Sequence, residues 1–354
     1  MSLTSNSSSY SSSRTEAGNS IILSSPTASP APAVDPNIWL EEVESDASLS
    51  WVRARNAQCV RALGDVRETA AFREVLGIMD SKEKIAYATK HGEWHYNLWK
   101  DATNKRGLWR RTTLAAYRAA ATPDAVEWET VLDVDALCEL EGESWVWHGP
   151  SFLDEGTGRF DRCLLSLSPG GSDASVHREF DVLTKAFIAP EDGGFVVPVA
   201  KSRVSWKSRD TLFVGTDFTG DGSTMTDSGY PRLAKEWTRG TPLADATLVF
   251  EAQQDDMSCS ASRWVDRGTW YSYYRRQITF YTSEKHLAAG SSMDAALSPA
   301  KLAVPDSCDI STFGPNVLVE LRDDWSPPGA PVAVFRCARD ASMCSIALSS
   351  PPPL

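Results

Sequence analysis

A serine nucleophile is the first chemistry to look for in this 354-residue chain. It requires G-x-S-x-G on a sharp strand-to-helix turn that exposes Oγ, with an aspartate and a histidine later in the sequence. No such run occurs. Gly170-Gly171-Ser172-Asp173-Ala174 and Ala289-Gly290-Ser291-Ser292-Met293 fail at glycine positions, and neither precedes a helical pattern. His91, His95, His148, His177 and His286 therefore have no nucleophile motif to serve as base. No residue is assigned a catalytic role.

Other chemistries are weaker still. Asp217-Phe218-Thr219-Gly220-Asp221-Gly222 carries oxygen ligands at alternate positions, as a calcium loop does. Its twelfth position is Ser228 rather than glutamate, so a β-turn loop is expected. Asp255-Asp256 and Asp323-Asp324 are adjacent carboxylates that point to opposite sides of a strand, so they read as solvated loop charges. Seven widely spaced cysteines, with no C-x-x-C, support neither a disulfide framework nor a zinc site; reduced, mostly buried thiols are expected. Phosphate-loop and dinucleotide glycine patterns do not occur, and no cofactor or metal is expected.

The net charge of −12 would repel a phosphate backbone, so nucleic acid is not an expected partner. Arg106, Arg110 and Arg111 make the nearest approach to a basic patch and read as a solvated strand face. No apolar run is long enough to span a bilayer, and Ile21-Ile22-Leu23 is too short for a signal core. The expected location is cytoplasmic.

These residues must be positioned by elements that the pattern partly reveals. Residues 1–34 form a Ser/Pro-rich tail with too few large apolar groups to offset ordering entropy. Leu49, Val52, Cys59, Val60 and Leu63 recur at helical spacing, with Asp46 or Ser48 as N-cap and Gly64 as stop. A second helix is predicted from about Glu68 to Met79, burying Ala71, Phe72, Val75, Leu76 and Met79. Residues 35–80 thus form a helical lead-in.

From about Ile85 short apolar or alternating runs follow one another between Gly, Asp, Asn and Pro clusters, an all-β signature. Trp94–Trp99, Gly107–Leu114, Arg203–Trp206, Leu233–Thr238 and Gln277–Thr282 are examples. Thirteen tryptophans lie mostly in such runs, as large side chains between layers would. Ser205-Trp206, a turn and Thr211 are echoed by Arg263-Trp264, a turn and Thr269, with 58 residues between both pairs. Ser144-Trp145-Val146-Trp147 lies about 60 residues earlier. A four-stranded propeller blade with generous loops gives such a period. Residues 81–336 then form an incomplete propeller of about four to five blades, and 337–354 an irregular tail.

Asp35-Pro36-Asn37-Ile38-Trp39-Leu40-Glu41-Glu42-Val43 resembles the opening of prolyl-oligopeptidase-family serine peptidases. Tyr96–Asp101, Gly107–Arg111 and Trp128–Asp133 resemble their first blade; Val214–Phe218, Thr226–Arg232 and Trp237–Leu243 resemble a central one. The matches run in order over residues 35–325. The resemblance implies a seven-bladed propeller capping an α/β-hydrolase domain, on which the helical lead-in packs. It also implies oligopeptide substrates, cleavage typically after proline, and no cofactor. The family pattern fades after Leu321-Arg322-Asp323-Asp324-Trp325, and the triad it implies would lie beyond residue 354. The chain is then the front part of such a peptidase, inactive alone, whether a truncated reading or a natural short product. The alternative is a propeller interaction module without enzymatic role. The helical opening Asp35–Met79 separates the two, since an inserted propeller needs it and a free-standing one does not.

Overall fold

A computed structural model describes residues 35–293, 295–326 and 345–349. The expected tail over 1–34, with Cys337 and Cys344, lies outside the described residues. The chain divides into two compact units, one ending at Arg73 and one beginning at Glu74.

In the first unit, α1 covers Asp46–Leu63. Its N-cap is Ser45 rather than the expected Asp46 or Ser48, because the Ser45 hydroxyl accepts the Ser48 N–H at 3.2 Å. Gly64 ends the helix at φ +86°, a conformation that favours glycine. Helix α2, Ala70–Asp80, runs across the division between the units. The expected burial of its stripe is not found: Phe72, Val75, Leu76 and Met79 keep the helical spacing but are 36% to 64% exposed. Periodicity marks which face can be buried, and burial itself needs a facing surface.

The second unit is a succession of antiparallel sheets with strands paired in chain order. The first sheet holds β1 (Thr89–His91), β2 (Trp94–Trp99), β3 (Leu108–Thr113) and β4 (Glu129–Asp133). The second holds β5 (Trp145–Phe152), β6 (Arg162–Pro169), β7 (Ser175–Asp181) and β8 (Ala186–Phe187), with β9 (Val196–Ala200) also paired to β7. The third is β10 (Arg203–Ser208), β11 (Thr211–Gly215), β12 (Leu233–Thr238) and β13 (Thr247–Glu251). The fourth is β14 (Ser258–Asp266), β15 (Thr269–Gln277), β16 (Ser283–Gly290) and β17 (Ala300–Lys301). The fifth is β18 (Asp309–Phe313), β19 (Asn316–Glu320) and β20 (Ser345–Ser349). The repeated tryptophan motifs fall on β5, β10 and β14, the opening strands of three successive sheets.

Several expectations are corrected. Gln277–Thr282 is mostly the turn between β15 and β16, closed by the Ile278 N–H on the Thr282 carbonyl at 3.0 Å. The apolar Ile278, Phe280 and Tyr281 mimic a strand there, yet Phe280 and Tyr281 are exposed. Two helices break the β pattern, α3 (Leu114–Ala119) and α4 (Val134–Glu141). Thr113 and Asp133, the last residues of β3 and β4, cap them by accepting the N–H groups of Ala116 and Ala136. Ser345–Ser349 is a strand paired to β19, so the stretch 337–354 is not wholly irregular. The Pro-rich run beyond it masked the apolar Ile346-Ala347-Leu348.

Four of the core clusters join neighbouring sheets. Tyr96, Trp109 and Val131 of the first meet Cys163, Leu165 and Phe180 of the second. Leu153 and Leu164 meet Trp206, Leu212 and Trp237 across the second and third. Phe213 and Ala234 meet Cys259 and Ala261 across the third and fourth, and Tyr271 and Leu287 meet Val317 across the fourth and fifth. Face-to-face packing of successive meanders through large side chains is how propeller blades bury their surfaces. A polar knot joins the second and third sheets as well. The Glu179 carboxylate, 1% exposed, accepts the Phe195 N–H at 3.0 Å and both terminal nitrogens of Arg239 at 2.7 and 3.1 Å.

Candidate functional site

A cavity of about 330 Å³ opens between the third and fourth sheets, where β10 and β14 begin and β15 ends. The β14–β15 register sets its wall, pairing Ser258 with Gln277 and Ser260 with Arg275. Arg203, the first residue of β10, and Tyr230, from the long β11–β12 connection, face that wall. The Arg203 guanidinium lies 5.3 Å from the Tyr230 ring centroid, and the Lys201 amine 4.9 Å from it. The Tyr230 hydroxyl donates to Asp173 at 3.4 Å. Arg275 brings a buried Nε hydrogen that has no hydrogen-bond partner among the described residues. Phe280, 73% exposed, stands at the rim on the β15–β16 turn. The lining thus has two guanidiniums and no carboxylate, on a chain of net charge −12. It can hold a carboxylate by charge-assisted hydrogen bonds and an apolar group on its aromatic side. It contains no nucleophile–base pair.

The histidines are scattered. His91 stacks on Phe152 at 4.0 Å between ring centroids, and burial lowers its pKa. His95 lies on β2 and His286 on β16, 3.7 Å from Glu284. His148 Nδ1 meets Ser175 Oγ at 2.9 Å, a pairing across β5 and β7 that sequence reasoning missed, since no local motif joins the two. Ser175 is only 4% exposed, so this pair supplies a buried hydrogen bond rather than an accessible nucleophile. His177, beside His148, is pushed down to about 4 by burial and by that neighbouring ring.

Other residues singled out earlier also find places. The Asp217 carboxylate accepts the N–H groups of Thr219, Gly220 and Gly222, so the calcium-like loop satisfies its own acid. Asp256 is not the solvated charge expected. It is 2% exposed and takes the Arg276 guanidinium at 2.5 and 3.1 Å. Arg110 and Arg111 are not a solvated face either. Arg110 lies between the Trp99 and Trp128 rings at 4.3 and 4.2 Å, and burial lowers it to about 10. Arg111, 6% exposed, pairs with Glu129 at 2.8 Å and covers Trp94. The interleaving of Trp and Arg on adjacent strands was the available signal. Cys163, Cys259 and Cys308 are buried free thiols, Cys138 is half-buried and Cys59 exposed. Among the described residues no helix is long and apolar enough to cross a membrane.

Successive antiparallel meanders packed face to face, preceded by a helical segment, define a β-propeller domain. The family described as prolyl oligopeptidase, N-terminal beta-propeller domain, matches residues 23–291, and the chain belongs to it. An uncharacterized peptidase of Sinorhizobium fredii is 35% identical over 237 residues, 66% of this chain and 31% of its own length. An uncharacterized peptidase of Rickettsia prowazekii is 26% identical over 302 residues, 81% of this chain and 40% of its own length. The chain therefore spans well under half of these relatives. Among solved structures, a post-proline cleaving enzyme from Rickettsia typhi superposes with TM-score 0.69 at 24% identity, over 81% of this chain and 41% of that one. Oligopeptidase B from Leishmania major gives 0.56 at 14% identity, over 80% and 38%. These two likenesses concern the fold.

Proposed function

We propose that this chain is the substrate-gating propeller portion of a serine-type oligopeptidase and does not hydrolyse peptides by itself. The Ser-Asp-His triad belongs to an α/β-hydrolase domain, and this chain admits and orients oligopeptides for it. The observation that carries the reading is the arginine cavity at one end of the third and fourth sheets. The guanidiniums of Arg203 and Arg275 in its lining offer a peptide carboxylate the partners it would otherwise find in water. The relatives named as peptidases and the lack of any G-x-S-x-G in the sequence support the division of labour. Buried free thiols fit a reducing, cytoplasmic setting.

Two measurements on the purified chain test it together. An oligopeptide with acidic side chains is expected to bind, and Arg275→Gln to weaken it about tenfold, the loss of one charge-assisted hydrogen bond. A fluorophosphonate probe is expected to leave the chain unlabelled. Labelling abolished by replacing one serine would refute the proposal, as would acidic-peptide binding indifferent to Arg203 and Arg275.

A further inference from the structure

Charge is spread unevenly between two cavities of the second unit. One of about 250 Å³, between the first and second sheets, is walled by rings such as Tyr96, Trp109 and Phe152, with the exposed Tyr87 at its rim. No lysine or arginine lines it. The arginine cavity concentrates cations instead. Residues directly opposite each other in an antiparallel pair share a face of the sheet. Ser260 opposes Arg275 across β14 and β15, and Arg275 opposes Lys285 across β15 and β16. One row of the fourth sheet thus reads hydroxyl, guanidinium, ammonium.

Like charges directly opposite each other are destabilising unless something neutralises them. Arg276, the next residue along β15, is neutralised by Asp256 and Glu284. Arg203, Arg275 and Lys285 enter no salt bridge among the described residues. Lys285 is 3% exposed and gives two of its three N–H groups to main-chain carbonyls, that of Ser283 at 2.9 Å and that of Asp306 at 3.1 Å. Burial pushes its amine down and the Arg275 charge pushes the same way, while Cys308, Asp309 and Asp306 oppose them. Asp173, the carboxylate that Tyr230 reaches, is already shared with Lys201 at 3.7 Å. The hydroxyls of Ser258 and Ser260, both in the lining, make no side-chain hydrogen bond among the described residues. Positive charge and hydroxyl donors are therefore left over at one wall.

The surplus selects the ligand. A single carboxylate neutralises one of the two lining guanidiniums and leaves the other unmatched. A phosphoryl group brings close to two negative charges at neutral pH and three acceptor oxygens, enough for both guanidiniums and a hydroxyl. We infer that the arginine cavity is a site for a phosphoryl dianion, held by Arg203, Arg275 and the Ser258 and Ser260 hydroxyls, with Lys285 adding its charge. The dianion is either free phosphate or a phosphomonoester, for whose organic part Met257 and Phe280 provide an apolar wall. The inference deepens the functional reading and rests on it in one respect: phosphate and acidic peptides then compete for the same two guanidiniums.

The test is isothermal titration calorimetry on the whole chain at constant ionic strength, with inorganic phosphate, phenyl phosphate, sulfate and acetate as probes. Phosphate and sulfate should bind saturably and at least about tenfold tighter than acetate, the worth of one further charge-assisted hydrogen bond. Arg203→Gln, at an exposed side chain, and Arg275→Gln should each weaken phosphate about tenfold, and Ser260→Ala about threefold. Phosphate should raise the melting temperature of the parent and not that of Arg203→Gln, which reads the site without relying on calorimetric heats. Phenyl phosphate should weaken as pH falls through about 6, where it loses its second charge, and sulfate should not. Tighter binding of phenyl phosphate than of phosphate assigns the site to monoesters; equal or weaker binding assigns it to the free ion. The inference is overturned by acetate binding as well as phosphate, by arginine variants that bind unchanged, by sulfate losing affinity with pH as phenyl phosphate does, or by no saturable binding at millimolar phosphate. Binding of the acidic oligopeptide with phosphate and sulfate inert overturns this inference and keeps the functional reading. Phosphate binding without peptide binding does the reverse.

Discussion

Removing Arg239 should loosen the joint between the second and third sheets more than any surface change of similar size. Its guanidinium forks onto the buried Glu179 carboxylate and also donates to the Gly193 carbonyl at 2.7 Å and to the Arg209 carbonyl. Its side chain is 23% exposed, so solvent screens the pair only partly. Arg239→Ala leaves Glu179 with the Phe195 N–H and a distant Arg162 Nε at 3.8 Å. A buried charge stripped of its partner costs about 3–5 kcal/mol, and the surviving contacts argue for the lower end, about 3. Glu179→Gln removes the charge but keeps the shape, and Arg239 still has Asp210 at 2.9 Å, so about 1.5–3 kcal/mol is expected. The double variant should be milder than the sum by about 1–3 kcal/mol, because each single change strands the other partner. Urea unfolding read by tryptophan fluorescence reports directly on this joint, since Trp206 and Trp237 sit in the adjoining cluster. A cost below about 1 kcal/mol for Arg239→Ala, or strict additivity in the cycle, would show that the knot is not an energetic link between the sheets.

Acid should act through His177. Its pKa is depressed to about 4 in the folded chain, so stability is full above the unfolded value of about 6.5 and is lost as pH falls through about 4. The loss amounts to about 3 kcal/mol at most, and melting curves between pH 7 and 4 should flatten in His177→Phe. Arg110→Ala should cost about 1–2 kcal/mol through its two tryptophan faces, and Arg110→Lys should recover only part of that in thermal melts, since an ammonium cannot stack on both rings. Expressed as residues 35–335, the chain should associate through the exposed apolar stripe of α2, and a monodisperse, cooperatively melting monomer in sedimentation would contradict this.

What the sequence made legible was what repeats or alternates. Trp206 and Trp264 announced β10 and β14 because each of these two strands carries a large ring that packs in the core beside a neighbouring sheet. The strand Leu233–Thr238 was readable to the residue from its alternation between turn signals. What escaped was set by contacts distant in sequence. Nothing local distinguishes the buried Asp256 from the exposed Asp255; Arg276, twenty residues on, makes the difference. Phe280 and Tyr281 read as strand because apolar residues normally seek cover, yet here they crown a turn beside the arginine cavity. The two cavities follow the same logic. Their lining comes from strand starts, turn tips and long connections of adjacent sheets, where no period operates and side-chain identity is free to serve a ligand. Tryptophans at blade period therefore predict the wheel, while the departures from that period, an Arg275 Nε with no hydrogen-bond partner among the described residues and Tyr87 held out in solvent, mark where to test for what the wheel holds.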